Sequence, residues 1–162
     1  MTPEQREWLK RPTVLPPCLR AIEGTQEWKF VEEYRISLPP PHFPLTLVIP
    51  KGWRYDRSSI PEYFVPAWLL DRDSLGTLAP APHDAGYKCR GWFVPGQRDT
   101  PYLITPDSSA LVRMTVTRAE VDLWFLLYLL RQRIPSWRAY AAYYAVRGWW
   151  AMREALELAK RW

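Results

Sequence analysis

The 162-residue chain has no asparagine, and it is poor in cysteine, histidine, lysine and glycine, with two, two, five and seven of each. Two cysteines exclude a disulfide-rich scaffold, and a chain near 150 residues buries roughly 68–70% of its unfolded surface without such staples. Cys18 and Cys89 therefore read as ordinary thiols. A structural zinc site needs four Cys or His ligands at short spacings, and His42 and His83 stand too far apart in sequence to complete one. Long apolar runs are missing as well. The longest, Leu123 to Leu130, is eight residues, against about 20 for a membrane span. The opening MTPEQREWLKR carries charge where a signal peptide carries its apolar stretch, so no cleaved signal is expected.

What is abundant points elsewhere. Seventeen prolines and 17 arginines beside five lysines suit a GC-rich or thermophilic source, in which loops are stiffened and labile amides are few. The formal net charge of +5 attracts anionic partners in general. The basic residues are scattered, with no basic run or helix-turn-helix pattern, so no specific nucleic-acid partner is expected.

The local patterns divide the chain into stretches of one expected domain, residues 1–162. Residues 1–45 form an extended N-terminal arm and first strand. Thr2, Pro3 and Gln5 give a capping box and a first-turn proline, predicting a helix to about Lys10 that ends before Pro12. Prolines 12, 16 and 17 then impose an extended connector, and Trp28 to Leu38 reads as a strand. Residues 46–116 hold β-hairpins and a histidine helix. Leu45 to Ile49 is a second strand able to pair with the first, and Ser58 to Leu70 holds a short or kinked helix. Ala81 to Arg90 is a helix, and Tyr102 to Thr105 with Ala110 to Val116 makes another hairpin. Residues 117–162 form a helical hairpin. Thr117 and Glu120 have capping-box spacing, and Val121, Trp124, Phe125, Tyr128 and Leu129 recur at helical intervals to about Arg133. Pro135 breaks that helix, and Ser136 caps one from Trp137 to Lys160. The expected fold class is α+β, a mainly helical core with two long C-terminal antiparallel helices and small β-hairpins.

His83-Asp84-Ala85-Gly86-Tyr87 is the most informative pentapeptide. On a helix His83 and Tyr87 share a face, while Asp84 projects about 100° away. A neutral imidazole can take a proton from water, and a neighbouring carboxylate can hold a hard cation such as calcium. A second carboxylate must orient the imidazole. Asp122 fits that role, one turn after Arg118 on the same helix face. The alternative is a satisfied buried network of Asp56, Asp84, Arg118 and Asp122, with Ser59 as a cap, that fixes the helices and has no chemistry. Tyr144, Arg147, Trp149 and Trp150 on the last helix suit either a lipid boundary or a protein partner.

Four segments occur in order: Val48-Ile49-Pro50-Lys51-Gly52-Trp53, Tyr55-Asp56-Arg57-Ser58-Ser59-Ile60-Pro61, His83 to Tyr87, and Arg118 to Asp122. They resemble an uncharacterised family of bacteriophage and prophage proteins with the pattern VPxGFxTDxxSIP, HDxLY, RxxxD. The resemblance covers about Thr46 to Trp150. Tyr55 replaces the usual threonine and Gly86 the usual leucine. It implies a phage origin, a place in the virion or host cytoplasm, and other virion proteins or further copies of the chain as partners.

The site is also similar to that of phospholipases A2, which carry HDxCY on one helix and an orienting aspartate on another. That similarity implies His83 as general base, Asp84 as calcium ligand, Asp122 as orienting acid, Tyr87 as support and a membrane surface as partner. Leu78 to Pro82 stands where the calcium loop would precede the helix, so Asp56 or carbonyls of Arg57 to Ile60 would supply the missing oxygens. Two functions follow. One is a phage-encoded hydrolase of lipid or envelope esters, which requires an imidazole open to solvent. The other is a non-catalytic tail or neck component, which requires a sealed one.

Overall fold

In a computed structural model the described residues are 1–12, 16–25, 27–55, 79–94, 99–107 and 110–160. Helix α1 (Pro3–Leu9) begins with the expected capping box. The Thr2 hydroxyl accepts from the Gln5 N–H at 3.2 Å and the Gln5 side chain accepts from the Thr2 N–H at 2.8 Å. The helix buries Trp8, whose ring meets Tyr128 edge-on at 5.3 Å.

The expectation of a mainly helical core with small hairpins is overturned. Nine strands among the described residues build three antiparallel sheets. The strands are β1 (Leu19–Ala21), β2 (Trp28–Phe30), β3 (Tyr34–Ser37), β4 (Thr46–Ile49), β5 (Arg54–Tyr55), β6 (Trp92–Phe93), β7 (Tyr102–Ile104), β8 (Leu111–Val112) and β9 (Met114–Thr115). Their orders are β1-β2-β5, β3-β4-β7-β8 and β6-β9. The single strand expected from Trp28 to Leu38 is two strands in two different sheets. The stretch from Ala110 to Val116 is likewise split, with β8 beside β7 and β9 beside β6.

The physical reason is strand length. Segments of two to four residues are too short to display a period, and pairings such as β4 with β7 or β2 with β5 join residues distant in sequence. Strand β4 lies inside its sheet, with Leu47 opposite Ile36 on one side and Leu103 on the other. Leu47, Val48 and Ile49 are all buried, so the strand reads as a continuous apolar run. Each such side chain contributes roughly 1.5–3 kcal/mol on burial.

Among the described residues there are three further helices: α2 (Pro80–Lys88), α3 (Arg118–Arg131) and α4 (Ser136–Ala159). The Thr117 and Glu120 capping box opens α3 as expected. The C-terminal helices do not dominate the core. Among the described side chains of α4, full burial is limited to Ala139, Ala142 and Val146, and beyond Val146 those described are exposed apart from a half-buried Trp149. Instead α3 is the element that the sheets and the other helices share. Its Tyr128 hydroxyl donates to the Ser37 carbonyl at 2.7 Å, tying the helix to β3. Its Trp124 indole donates to His42 Nδ1 at 3.3 Å, leaving Nε2 of that ring to donate to Glu120 at 3.4 Å. His42 thus bridges its proline-rich loop to the helix. The expected helix from Ser58 to Leu70 lies outside the described residues.

Gly86 decides how closely α2 approaches α3. A Cβ built there would lie 2.6 Å from both methyl groups of Val121, too close for a stiff β-branched side chain to absorb. Restoring the leucine usual in the resembling pattern, Gly86→Leu, is expected to cost about 1–3 kcal/mol by overpacking. Adding Val121→Ala should recover part of that loss. Denaturant titration of the two single variants and the double variant measures the coupling, and strict additivity would sink this account.

Candidate functional site

Close packing of α2 on α3 places four ionisable side chains in one cluster. His83 Nε2 lies 3.2 Å from Asp122 Oδ1, and the Tyr87 hydroxyl donates to the same oxygen at 2.7 Å. On the other side of the ring, His83 Nδ1 is 3.6 Å from Asp84 Oδ1. His83 is only 3% exposed, and both aspartates are equally buried. The imidazole also lies 4.5 Å from the Tyr87 ring and 5.2 Å from Phe125, centroid to centroid.

The electrostatics follow from this enclosure. Burial alone would push the His83 pKa down, but hydrogen bonds to Asp122 and Asp84, together with the charges of both, outweigh it and hold the value above that of an ordinary histidine. The charged imidazole, a donor at both nitrogens, is therefore more favoured here than in an ordinary histidine. Burial, reinforced by the bond to Asp122, raises the Tyr87 phenol well above its usual range, so it remains a donor. Burial lifts the Cys89 thiol to about 11, which makes it a poor nucleophile at neutral pH.

The raised pKa of His83 carries a sign for stability. The charged form is favoured on folding, so its contribution is complete below the unfolded value of about 6.5 and is lost as pH rises through the higher folded value. Among the described residues, the titratable groups facing the ring are Asp84, Asp122 and Tyr87. His42 acts in the opposite sense, because burial lowers its pKa against the pull of Glu120. The difference in unfolding free energy between wild type and His83→Phe is therefore expected to shrink with rising pH above about 6.5. Urea titrations across neutral pH check this, and a difference that grows with pH would contradict the assigned charge.

Beside this cluster a cavity of about 840 Å³ opens between α2, α3 and α4, lined by Tyr87, Arg90, Arg118, Asp122 and Arg147 over a floor that includes Gly86 and Val121. His83 is not among the residues lining it. The Arg118 guanidinium stands 5.7 Å from the centre of the Tyr87 ring, and Arg147 donates to the Tyr143 hydroxyl at 2.8 Å.

The structure thus brings together His83, Asp84, Tyr87 and Asp122, four residues singled out from sequence. It places Arg118 at the rim, above Tyr87. Arg147, read from sequence as part of a lipid or partner surface, turns toward the cavity. Tyr144 is 65% exposed and Trp149 is half-buried. Asp56 and Ser59 lie outside the described residues, as does the side chain of Trp150. Among the described residues no group of three or more His, Cys, Asp or Glu stands ready to hold a metal. Sequence reasoning missed Arg90, which adopts a left-handed conformation at φ 51° just after α2. Its only signal was an arginine followed by glycine where a helix should end.

Three antiparallel sheets among the described residues, a central helix α3 and a buried His-Asp cluster bonded to Tyr87 define a mixed sheet-and-helix protein with an arginine-lined cavity beside that cluster. Over residues 28–146 the chain matches, and belongs to, the family described as "Protein of unknown function (DUF1353)". No curated protein and no solved structure matches it significantly. No described helix is long and apolar enough to cross a membrane.

Proposed function

We propose that the chain is a non-catalytic component of a bacteriophage or prophage particle, in its tail or neck, whose His-Asp-Tyr cluster fixes the fold. The observation that carries this reading is the enclosure of His83 between two carboxylates. A general base must be neutral and within reach of the proton it removes, whereas this imidazole is sealed and favoured in its charged form. The phage assignment rests on the ordered segments from Val48 to Asp122 that resemble phage and prophage proteins.

Helix α4 supplies the assembly surface. Trp137, Tyr140, Tyr144, Met152 and Leu156 are exposed at helical spacing along it, and Trp, Tyr and Met are favoured in interface cores. The partners are other virion proteins or further copies of the chain, and the place of action is the virion or the host cytoplasm. Mass spectrometry of purified particles from the source phage or induced prophage is expected to find the chain in proportion to other structural proteins. Strong expression in infected cells with none in particles would overturn the reading.

A second reading, a phospholipase A2-like hydrolase, is favoured by one feature: Asp122 holds Nε2 and leaves Nδ1 directed at Asp84, the residue that would ligate calcium. In that reading Asp84 and Asp56 hold the ion and Tyr87 supports Asp122. Purified protein would then release fatty acid from mixed phospholipid vesicles with calcium, stop with chelator, and lose activity in a folded His83→Ala variant.

A further inference from the structure

We propose that the cavity between α2, α3 and α4 is a binding site for a phosphate group, held by Arg90, Arg118 and Arg147. This goes beyond a role in assembly, which needs no such pocket.

The charge is one-sided. Among the described residues, three arginines line the cavity beside one carboxylate, Asp122, whose Oδ1 already accepts from both His83 and Tyr87. A planar guanidinium fork matches the oxygens of a phosphate two at a time, so three of them around one space suit a multiply charged oxyanion. The space is of the size that holds small ligands, roughly 300–1,000 Å³.

Two of the three arginines occupy positions that local structure disfavours. Arg90 is left-handed, a conformation that glycine adopts freely and arginine does not. Arg118 is the first residue of α3, where the helix dipole favours an anion over a cation. Both residues line the same cavity. The first turn of α3, Arg118 and Ala119, also lines it, next to the helix end capped by Thr117 and Glu120. The third arginine, Arg147, arrives from α4. The field of Asp122 and Tyr87 reaches it and raises its pKa, behind a larger effect of its bond to Tyr143. Three elements distant in sequence thus contribute one cation each.

The phosphate can belong to a soluble compound or to a lipid headgroup, and the test separates them. The full chain is titrated with pyrophosphate by calorimetry, and separately with vesicles of phosphatidylglycerol or phosphatidylcholine by sedimentation. Saturable binding in at least one arm is expected, weakened tenfold or more by Arg118→Ala and by Arg147→Ala and unchanged by Arg20→Ala on β1. Pyrophosphate binding alone indicates a soluble ligand. Vesicle binding alone, lost in the same variants, indicates a headgroup. Arg90→Gly keeps the variant set informative if an alanine variant folds poorly, because it relieves the left-handed backbone. It is expected to raise the melting temperature while weakening binding. No saturable binding in either arm overturns the proposal, as does equal weakening by Arg20→Ala.

Discussion

Asp122→Ala is expected to lower the unfolding free energy by about 3–5 kcal/mol, the range for removing one partner from a buried, charged, hydrogen-bonded pair. One carboxylate oxygen serves both His83 and Tyr87, so the substitution removes the acceptor of a buried imidazole and of a half-buried phenol at once. Among the described residues it leaves the His83 ring with Asp84 as its remaining carboxylate, at a longer distance. The same substitution in a Tyr87→Phe, His83→Phe background should cost much less, because the stranded donors are then absent. Urea unfolding followed by circular dichroism checks both values. A loss below about 1 kcal/mol, the scale of an ordinary surface change, would show that the cluster does not lock α2 to α3. The measurement also separates the two functional readings. A purely catalytic Asp122 predicts lost turnover with stability nearly intact, whereas a lock predicts the reverse.

Gly91→Ala is expected to be nearly as damaging, although it adds one methyl group on the far side of the helix end. Gly91 is left-handed at φ 67°, and a Cβ there would lie 2.0 Å from the Val116 carbonyl oxygen. That oxygen belongs to backbone and cannot rotate away. Moreover, the Val116 N–H donates to the Gly91 carbonyl at 2.7 Å, so the strands that would have to separate are hydrogen-bonded here. The left-handed backbone contributes about 1–2 kcal/mol and overpacking about 1–3 kcal/mol, giving a loss of about 2–5 kcal/mol. Loss of the β6 and β9 pairing should accompany it, visible as faster amide exchange at Phe93. A thermal melt unchanged from wild type would refute this account of the loop.

The contrast between the two glycines shows what pattern reading can reach. Gly86 stood out in the sequence because it replaces a leucine within a recognisable pentapeptide, but its role, admitting Val121, depends on a residue 35 positions later. Gly91 gave no signal beyond following a predicted helix end. The same holds for the arginines. Arg118 was legible as one turn before Asp122, whereas Arg90 enters the site through a backbone conformation that no residue pattern encodes. His42 looked like a loop residue among prolines, and only the fold places Trp124 and Glu120 against its two nitrogens.

The sequence by itself determined two helix starts and which cluster side chains share a helix face. Capping boxes at Thr2 and Thr117 are local, acting over three residues, and both are present as read. The spacing of His83, Asp84 and Tyr87 fixes their directions on any helix, and Asp122 follows from the need for a second carboxylate. Tertiary structure alone decided the rest: that short strands would join into three sheets, that α3 and not the C-terminal pair would be the shared element, and that His83 would be sealed. Each of these depends on contacts between residues tens of positions apart, whose free energy comes from burial and pairing in the assembled chain and leaves no local periodicity to read.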